Sequence, residues 1–283
     1  MEVNPEYSWH LGSWAIANDN LLNECSELFS NHYGFWSKKA PIKPMQKIQM
    51  PPRMIANWLR CQGSQLHCAR LNGELIGYAI ASIDKVKNYG QIAWVTQLVV
   101  HEKFRHKGIG KTLLFSIWRF SNYYAWGVLT SSPYAVRALE KATRRRCSPQ
   151  RIKKNVRMLR NFGAKHVYYA GPKMEVIVTE NSSVANTNFF ADHSKLNEMI
   201  RNVISTAPWE LGKLNEGWEW FAFTFNDQNQ LQLTSQEIDD MIQASDQVTR
   251  QAYSRMQLDG AHLWAKHAGS EIKFIISVQL RFK

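Results

Sequence analysis

At 283 residues, 45% hydrophobic and 12% aromatic, the chain has apolar material for a sizeable core, which excludes wholesale disorder. Thirty-five Lys and Arg against 23 Asp and Glu give a net charge of +12; this favours anionic partners and disfavours cationic substrates such as polyamines or aminoglycosides. No run approaches the roughly 20 apolar residues of a membrane helix, and "MEVNPEYSWHLGSW" has neither a basic n-region nor an apolar h-region. Cys25, Cys61, Cys68 and Cys147 lack metal-ligand spacing, so the expectation is a cytoplasmic protein with reduced thiols, no metal and no membrane contact.

"NDNLLNECSELFSNHYGFW" predicts a helix capped at Asn18 or Asp19, with Leu21, Leu22, Cys25, Leu28 and Phe29 on one face. A proline-rich loop, "SKKAPIKPMQKIQMPP", and a short helix, "RMIANWLR", follow. "SQLHCARLNGELIGYAIASID" reads as two strands joined at Asn72-Gly73, a strong hairpin signal. A third strand, "GQIAWVTQLVV", runs into "HEKFRHKGIGKTLL", where two glycines stand among four Lys and Arg ahead of a helical pattern. "AWGVLTSS" is a short buried strand, and "PYAVRALEKATRRR" a helix with Pro133 in its first turn. Further on, "PKMEVIVT" predicts a strand, "ADHSKLNEMIRNVIS" a helix capped near Asp192, and "TSQE" from Thr234 opens a helix through Ile238, Met241 and Ile242. "KFIISVQLRF" alternates Phe274, Ile276, Val278, Leu280 and Phe282 as a half-buried strand. Trp209, Trp218, Trp220, Phe221 and Phe223 are expected to fill a core rather than stack bases, and His262, Lys266 and His267 to lie on a surface helix. There is no internal repeat.

The order helix, helix, strand, strand, strand, glycine loop, helix, strand, helix is α/β (α+β) with an antiparallel start, which excludes a simple doubly wound nucleotide fold. "RHKGIG" also lacks the GxGxxG spacing, and GxGKT is not a Walker loop. Gly108 and Gly110 carry no Cβ, so loop N–H groups can approach an anion, and the positive end of the following helix can hold it. Arg105, His106, Lys107 and Lys111 add charge, and Thr112 a hydroxyl.

In its order of elements and in "QLVVHEKFRHKGIGKTLL", with Arg105-His106-Lys107-Gly108-Ile109-Gly110 as the Q/R-x-x-G-x-G/A core, the chain resembles the GNAT superfamily of acetyl-CoA-dependent N-acetyltransferases. The resemblance covers about Asn18 to Val178. It implies a mixed, mostly antiparallel twisted sheet flanked by helices, acetyl-CoA as cofactor, its pyrophosphate on residues 105–112, and its pantetheine arm along Leu98, Val99 and Val100. The expected organisation is a GNAT-like domain at 15–178, with a basic helical insert at 141–160 and a C-terminal α+β region at 179–283.

The sequence departs from the family in its acid–base residues. Many members carry a strand Glu as base, yet Gly90–Val100 holds no Asp, Glu or His. The family's helical Tyr falls on Leu159 when Gly163 is matched to the closing glycine, leaving Tyr134 as a substitute acid. Deprotonating a lysine amine at pH 7 costs about 4–5 kcal/mol and an α-amine about 1 kcal/mol, so a site without that base suits an α-amine better. The insert "KATRRRCSPQRIKKNVRMLR" holds nine Lys or Arg and no acid; Arg144, Arg145, Arg146, Arg151, Lys153, Lys154 and Arg157 are the nucleic-acid-binding candidates. The expected function is acetyl transfer to a primary amine, for instance the α-amine of an aminoacyl-tRNA or of another acidic or RNA-linked acceptor. A protein amine, or a non-catalytic GNAT-like nucleic-acid binder, are the alternatives.

Overall fold

The computed structural model describes residues 4–119, 121–228, 230, 231 and 243. Its strands are β1 (Glu6–Leu11), β2 (Ser64–Leu71), β3 (Glu74–Val86), β4 (Gly90–Val100), β5 (Ala125–Thr130), β6 (Val176–Val178), β7 (Ser183–Phe189) and β8 (Gly217–Phe225). Its helices are α1 (Gly12–Ile16), α2 (Asp19–His32), α3 (Pro52–Leu59), α4 (Ile109–Trp118), α5 (Pro133–Thr143), α6 (Pro149–His166) and α7 (Leu196–Ile204). The strands form one sheet in the order β1-β2-β3-β4-β5-β8-β7-β6. All neighbours pair antiparallel except β4 with β5, which are parallel.

Local signals account for the elements that position the site. Asn18 caps α2 by accepting from the Leu21 amide at 3.0 Å, and the five apolar residues expected inward are all buried. Asn72 and Gly73 both have positive φ, as a two-residue hairpin turn requires, and Leu71 pairs with Glu74 across it. Ser132 and Ser148 cap α5 and α6, each with Pro at the first helical position.

Helices cover both faces of the sheet. On one, α2 and α3 pack on Leu66, Tyr78, Ile80 and Val99. Farther along, Trp94, fully buried, meets Phe162 of α6 and, edge-on, Phe221 and Phe223 of β8, the latter with ring centroids 4.9 Å apart. Phe223 fits because its β5 partner is Gly127, where a Cβ would stand 2.0 Å from the ring.

Residues beyond the expected division at 178 continue this sheet, since β8 lies between β5 and β7. The aromatic run 217–225 is core, as its alternation suggested. The helix expected from Asp192 starts at Leu196; the Asp192 carboxylate instead accepts from the Ser194 amide at 2.9 Å, folding a turn before it. Short β1, α1 and β7 escaped the sequence reading. The expected helix from Thr234, the strand at Phe274–Phe282, and His262, Lys266 and His267 lie outside the described residues. Among the described residues no helix is long and apolar enough to cross a membrane, and no group of three or more His, Cys, Asp or Glu could hold a metal.

Candidate active site

The parallel pairing of β4 with β5 runs only from Ile92–Ala125 to Val95–Val128, although β4 continues to Val100 and β5 to Thr130. At that level the β3–β4 register slips: Ile80 faces Gln97, Ala81 faces Val95, and Thr96 is left over. Its hydroxyl donates to the Ile80 carbonyl at 3.2 Å. A bulge of this kind bends a strand and increases its twist. Past Val95, β4 therefore pairs with β3 on one edge, while no strand among the described residues pairs with its other edge. Backbone groups along that edge can bond an extended ligand arm as they would a further strand. Leu98, Val99 and Val100 all lie on this segment; Val99 packs under α2, and Leu98 and Val100 face Gly110.

β4 then enters a 3-10 turn, Glu102–Phe104, capped by His101, whose Nδ1 accepts from the Lys103 amide at 3.1 Å. His106 and Gly108 both adopt positive φ, the second at +82° as the residue preceding α4. A Cβ on Gly108 would meet nothing within 4 Å, so glycine here serves the left-handed turn and leaves its surroundings open. Gly108 offers no side-chain cap, so the first-turn amides of Ile109, Gly110 and Lys111 and the positive helix end suit an anion. A Cβ on Gly110 would lie 3.8–3.9 Å from Leu98 and Val100; its absence widens the step between strand edge and helix. An unpaired strand edge that leads to an uncapped glycine turn fits a thioester arm ending in a diphosphate.

The other loop residues divide by role. Lys107 is exposed, with its ammonium 5.4 Å from the Phe104 ring centroid; Ile109 is buried, and Lys111 and Thr112 are half-buried on the first turn. Arg105 is exposed and also has a structural tie. Its guanidinium donates to the His32 carbonyl and, through Nε at 3.2 Å, to that of Val100, so it straps the loop to the end of α2. His106 packs edge-on against Tyr134 with centroids 4.6 Å apart, and the Tyr134 hydroxyl accepts from Asn202 at 3.2 Å. Tyr134 thus lies beside the glycine turn.

The insert is less free than its sequence implied. Arg145 is buried, donates to the carbonyls of Thr143 and Asn226, and stacks over Trp126 at 5.0 Å. Arg146 and Arg137 share the buried Glu140 carboxylate at 2.9 and 2.5 Å. Arg144 donates to the Leu231 carbonyl, Arg151 pairs with Asp227, and Lys153 pairs with Glu180 at 2.8 Å. The missing counter-charges come from outside the segment; Lys154 and Arg157 are exposed.

Two polar residues escaped the sequence reading. Gln97, on the first β4 position past the bulge, is 4% exposed; its Oε1 accepts from the Tyr78 hydroxyl at 2.8 Å, while its Nε2 is a buried donor with no partner among the described residues. Glu219 is 7% exposed on β8 and shares a face with Phe221 and Phe223. Burial pushes its carboxyl up to about 7, against the pull of a hydrogen bond with Thr187. Tyr33 and Tyr169 face it, and burial, with this carboxylate as a further cause, raises both phenols. The signal was legible: in "WEWFAFTF" the acid occupies the same alternating positions as three phenylalanines.

Residues 25–120 match the model of the Acetyltransferase (GNAT) family. No curated protein matches the chain. Among solved structures, the acetyltransferase of GNAT family from Streptococcus pneumoniae is 16% identical, with 48% of this chain and 83% of that one covered at a TM-score of 0.35. The ribosomal-protein-S18-alanine N-acetyltransferase from Escherichia coli is 13% identical, covering 44% and 70% at 0.33. An aminoglycoside acetyltransferase from an uncultured soil metagenomic sample is 14% identical, covering 41% and 68% at 0.30. At such scores these likenesses carry no weight beyond the sheet described above. The matched segment contains β4, the glycine turn and α4, so it is this part of the chain that is similar to the Acetyltransferase (GNAT) family.

Proposed function

We propose that the protein transfers the acetyl group of acetyl-CoA to a primary amine, with a peptide α-amine as the acceptor class. The observation that carries the reading is the opening between β4 and β5 beyond Val95–Val128, which ends at the uncapped glycine turn. Acetyl-CoA would supply the activated acyl group. The free edge of β4 at Leu98–Val100 would bond the arm, and an N–H on that edge would polarise the thioester carbonyl. The amides of Gly108–Lys111, with Lys107, His106 and Thr112, would hold the diphosphate, while Arg105 keeps the turn in place. Tyr134, next to His106, is closer to the phosphate end, where it would help seat the cofactor. An aminoacyl-tRNA acceptor drew its support from the insert; the ties on Arg144, Arg145, Arg146, Arg151 and Lys153 favour the peptide amine instead.

The test has two parts. Acetyl-CoA should raise the melting temperature of the wild type and leave Gly108→Asp unmoved, because a carboxylate there opposes a diphosphate. Radiolabelled acetyl-CoA incubated with fractionated cell extract should then place label in protein, at amines that become blocked to N-terminal degradation. Label in RNA would reinstate the tRNA reading, and no melting shift would remove the acetyl-CoA reading.

A further inference from the structure

We propose that Glu219 is the general base of this reaction, taking the proton that the acceptor amine must lose. The proposal rests on the reading that the β4–β5 opening holds the acetyl-CoA arm. β4 brings no acid or imidazole of its own, so a base has to enter from another element.

The topology brings it from β8. Trp220 pairs with Thr130, the last residue of β5, so Glu219 is one position past the end of that ladder. Counting along the register, it stands three levels beyond the last β4–β5 rung, or about 10 Å along the strands. That is level with Leu98 and Val99, where the thioester would lie. Its side chain points to the face that carries Trp94, Gln97 and Val99, away from α4. The groups facing it are Tyr33 from the end of α2, Tyr169 from the loop after α6 and Thr187 from β7, none of them charged near neutral pH. Tyr33 also acts on Tyr78, whose hydroxyl donates to Gln97. Glu219, Tyr33, Tyr78 and Gln97 are thus polar groups on one side of the sheet, within electrostatic reach of one another, in an otherwise apolar layer. Its position near about 7 places the carboxyl where it is ionised enough to accept a proton and basic enough to do so usefully. Among the described residues, the groups that act on it include no cation that would repel an ammonium.

The step balances as follows. An ammonium acceptor gives one proton to Glu219, directly or through one water, and the carboxyl returns it to solvent. The nitrogen lone pair then forms the C–N bond of the amide. The C–S bond breaks, the sulfur leaves with its electron pair, and it takes the nitrogen's second proton to become the free thiol.

The experiment compares wild type, Glu219→Gln, Glu219→Asp and Gly108→Asp. Melting shifts with acetyl-CoA are measured first; then thiol release from acetyl-CoA, with a mixture of amino acid amides as amine donors, from pH 5.5 to 9. In acetyl-CoA-free protein with 13C-labelled glutamate carboxyls, the resonance lost in Glu219→Gln is titrated. Expected are a full acetyl-CoA shift in Glu219→Gln, a loss of roughly 10²-fold or more in its rate, disappearance of the rising limb near pH 7, and partial recovery in Glu219→Asp. The lost resonance should titrate well above the ordinary glutamate range. Glu219→Gln with wild-type rate and pH profile, a resonance titrating near 4, or a wild type that binds acetyl-CoA yet releases no thiol each overturns the base. Failure of the wild type to bind acetyl-CoA overturns the reading beneath it.

Discussion

A carboxyl walled by Tyr33 and Tyr169 is easier to keep neutral than ionised, and this has a thermodynamic consequence separate from catalysis. With the Glu219 carboxyl moved from its ordinary 4.5 to about 7, the folded chain holds a proton across that window that the unfolded chain has released. Stability therefore falls as pH rises from 4.5 to 7 by about 3 kcal/mol from this group, and is level on either side. Glu219→Gln removes the dependence: urea midpoints should match the wild type near pH 4.5 and exceed it at pH 8, whereas an offset equal at both values would refute the buried-acid account. Glu140 shows the opposite arrangement. Its carboxylate is as buried but binds Arg137, Arg146 and the Cys147 amide, so Glu140→Ala strands a buried guanidinium and should cost about 3–5 kcal/mol in denaturant unfolding. Lys153→Ala breaks an exposed pair with Glu180 and should cost at most about 1 kcal/mol. The contrast tells buried charge from surface charge inside one basic segment, which a count of Lys and Arg does not.

Strand β4 shows at the element scale what a sequence can and cannot reveal. Its extent, the glycine turn after it and the amphipathic α4 were all readable, because each depends on local chemistry: apolar alternation, a left-handed residue and helical spacing. The hairpin at Asn72-Gly73 and the Asn18 cap were readable for the same reason. The bulge at Thr96 was not, since it is set by how β3 pairs with β4, and nothing in "AWVTQLVV" marks the slip. Arg105 reads in the sequence as a phosphate ligand; its bonds to the carbonyls of distant His32 and nearby Val100 were not readable there. Gly127 went unweighed because its partner, Phe223, is 96 positions away and a lone strand glycine looks neutral. Gly127→Ala inserts a methyl 2.0 Å from that ring, one rung below the opening. It should destabilise by about 1–3 kcal/mol through overpacking, read as a lower melting temperature with unchanged far-UV circular dichroism. A variant as stable as wild type would show that β5 and β8 have slack there.

For the molecule as a whole, the question is whether the fold ends where the family resemblance does. The expected boundary at 178 was drawn from the reach of a familiar motif order, with sequence beyond it less legible. Physically, the sheet continues: β8 inserts between β5 and β7, and its Phe221 and Phe223 supply the far side of the Trp94 contact. The insert is pinned the same way, by Asn226, Asp227, Glu180 and Leu231 on residues past that boundary. A chain cut after Val178 would lose β7 and β8, expose β5 along a whole edge, and uncover Trp94 and Trp126 to water. Fully burying one large apolar side chain is worth about 1.5–3 kcal/mol, against net stabilities of about 5–15 kcal/mol, so losing this layer exceeds what a domain has in reserve. The truncated chain should therefore show no cooperative unfolding transition, weak near-UV circular dichroism and no melting shift with acetyl-CoA, while the full chain shows all three. A soluble 1–178 fragment that melts cooperatively and responds to acetyl-CoA would instead make it an independent unit, and with it remove Glu219 from any obligatory place in the reaction.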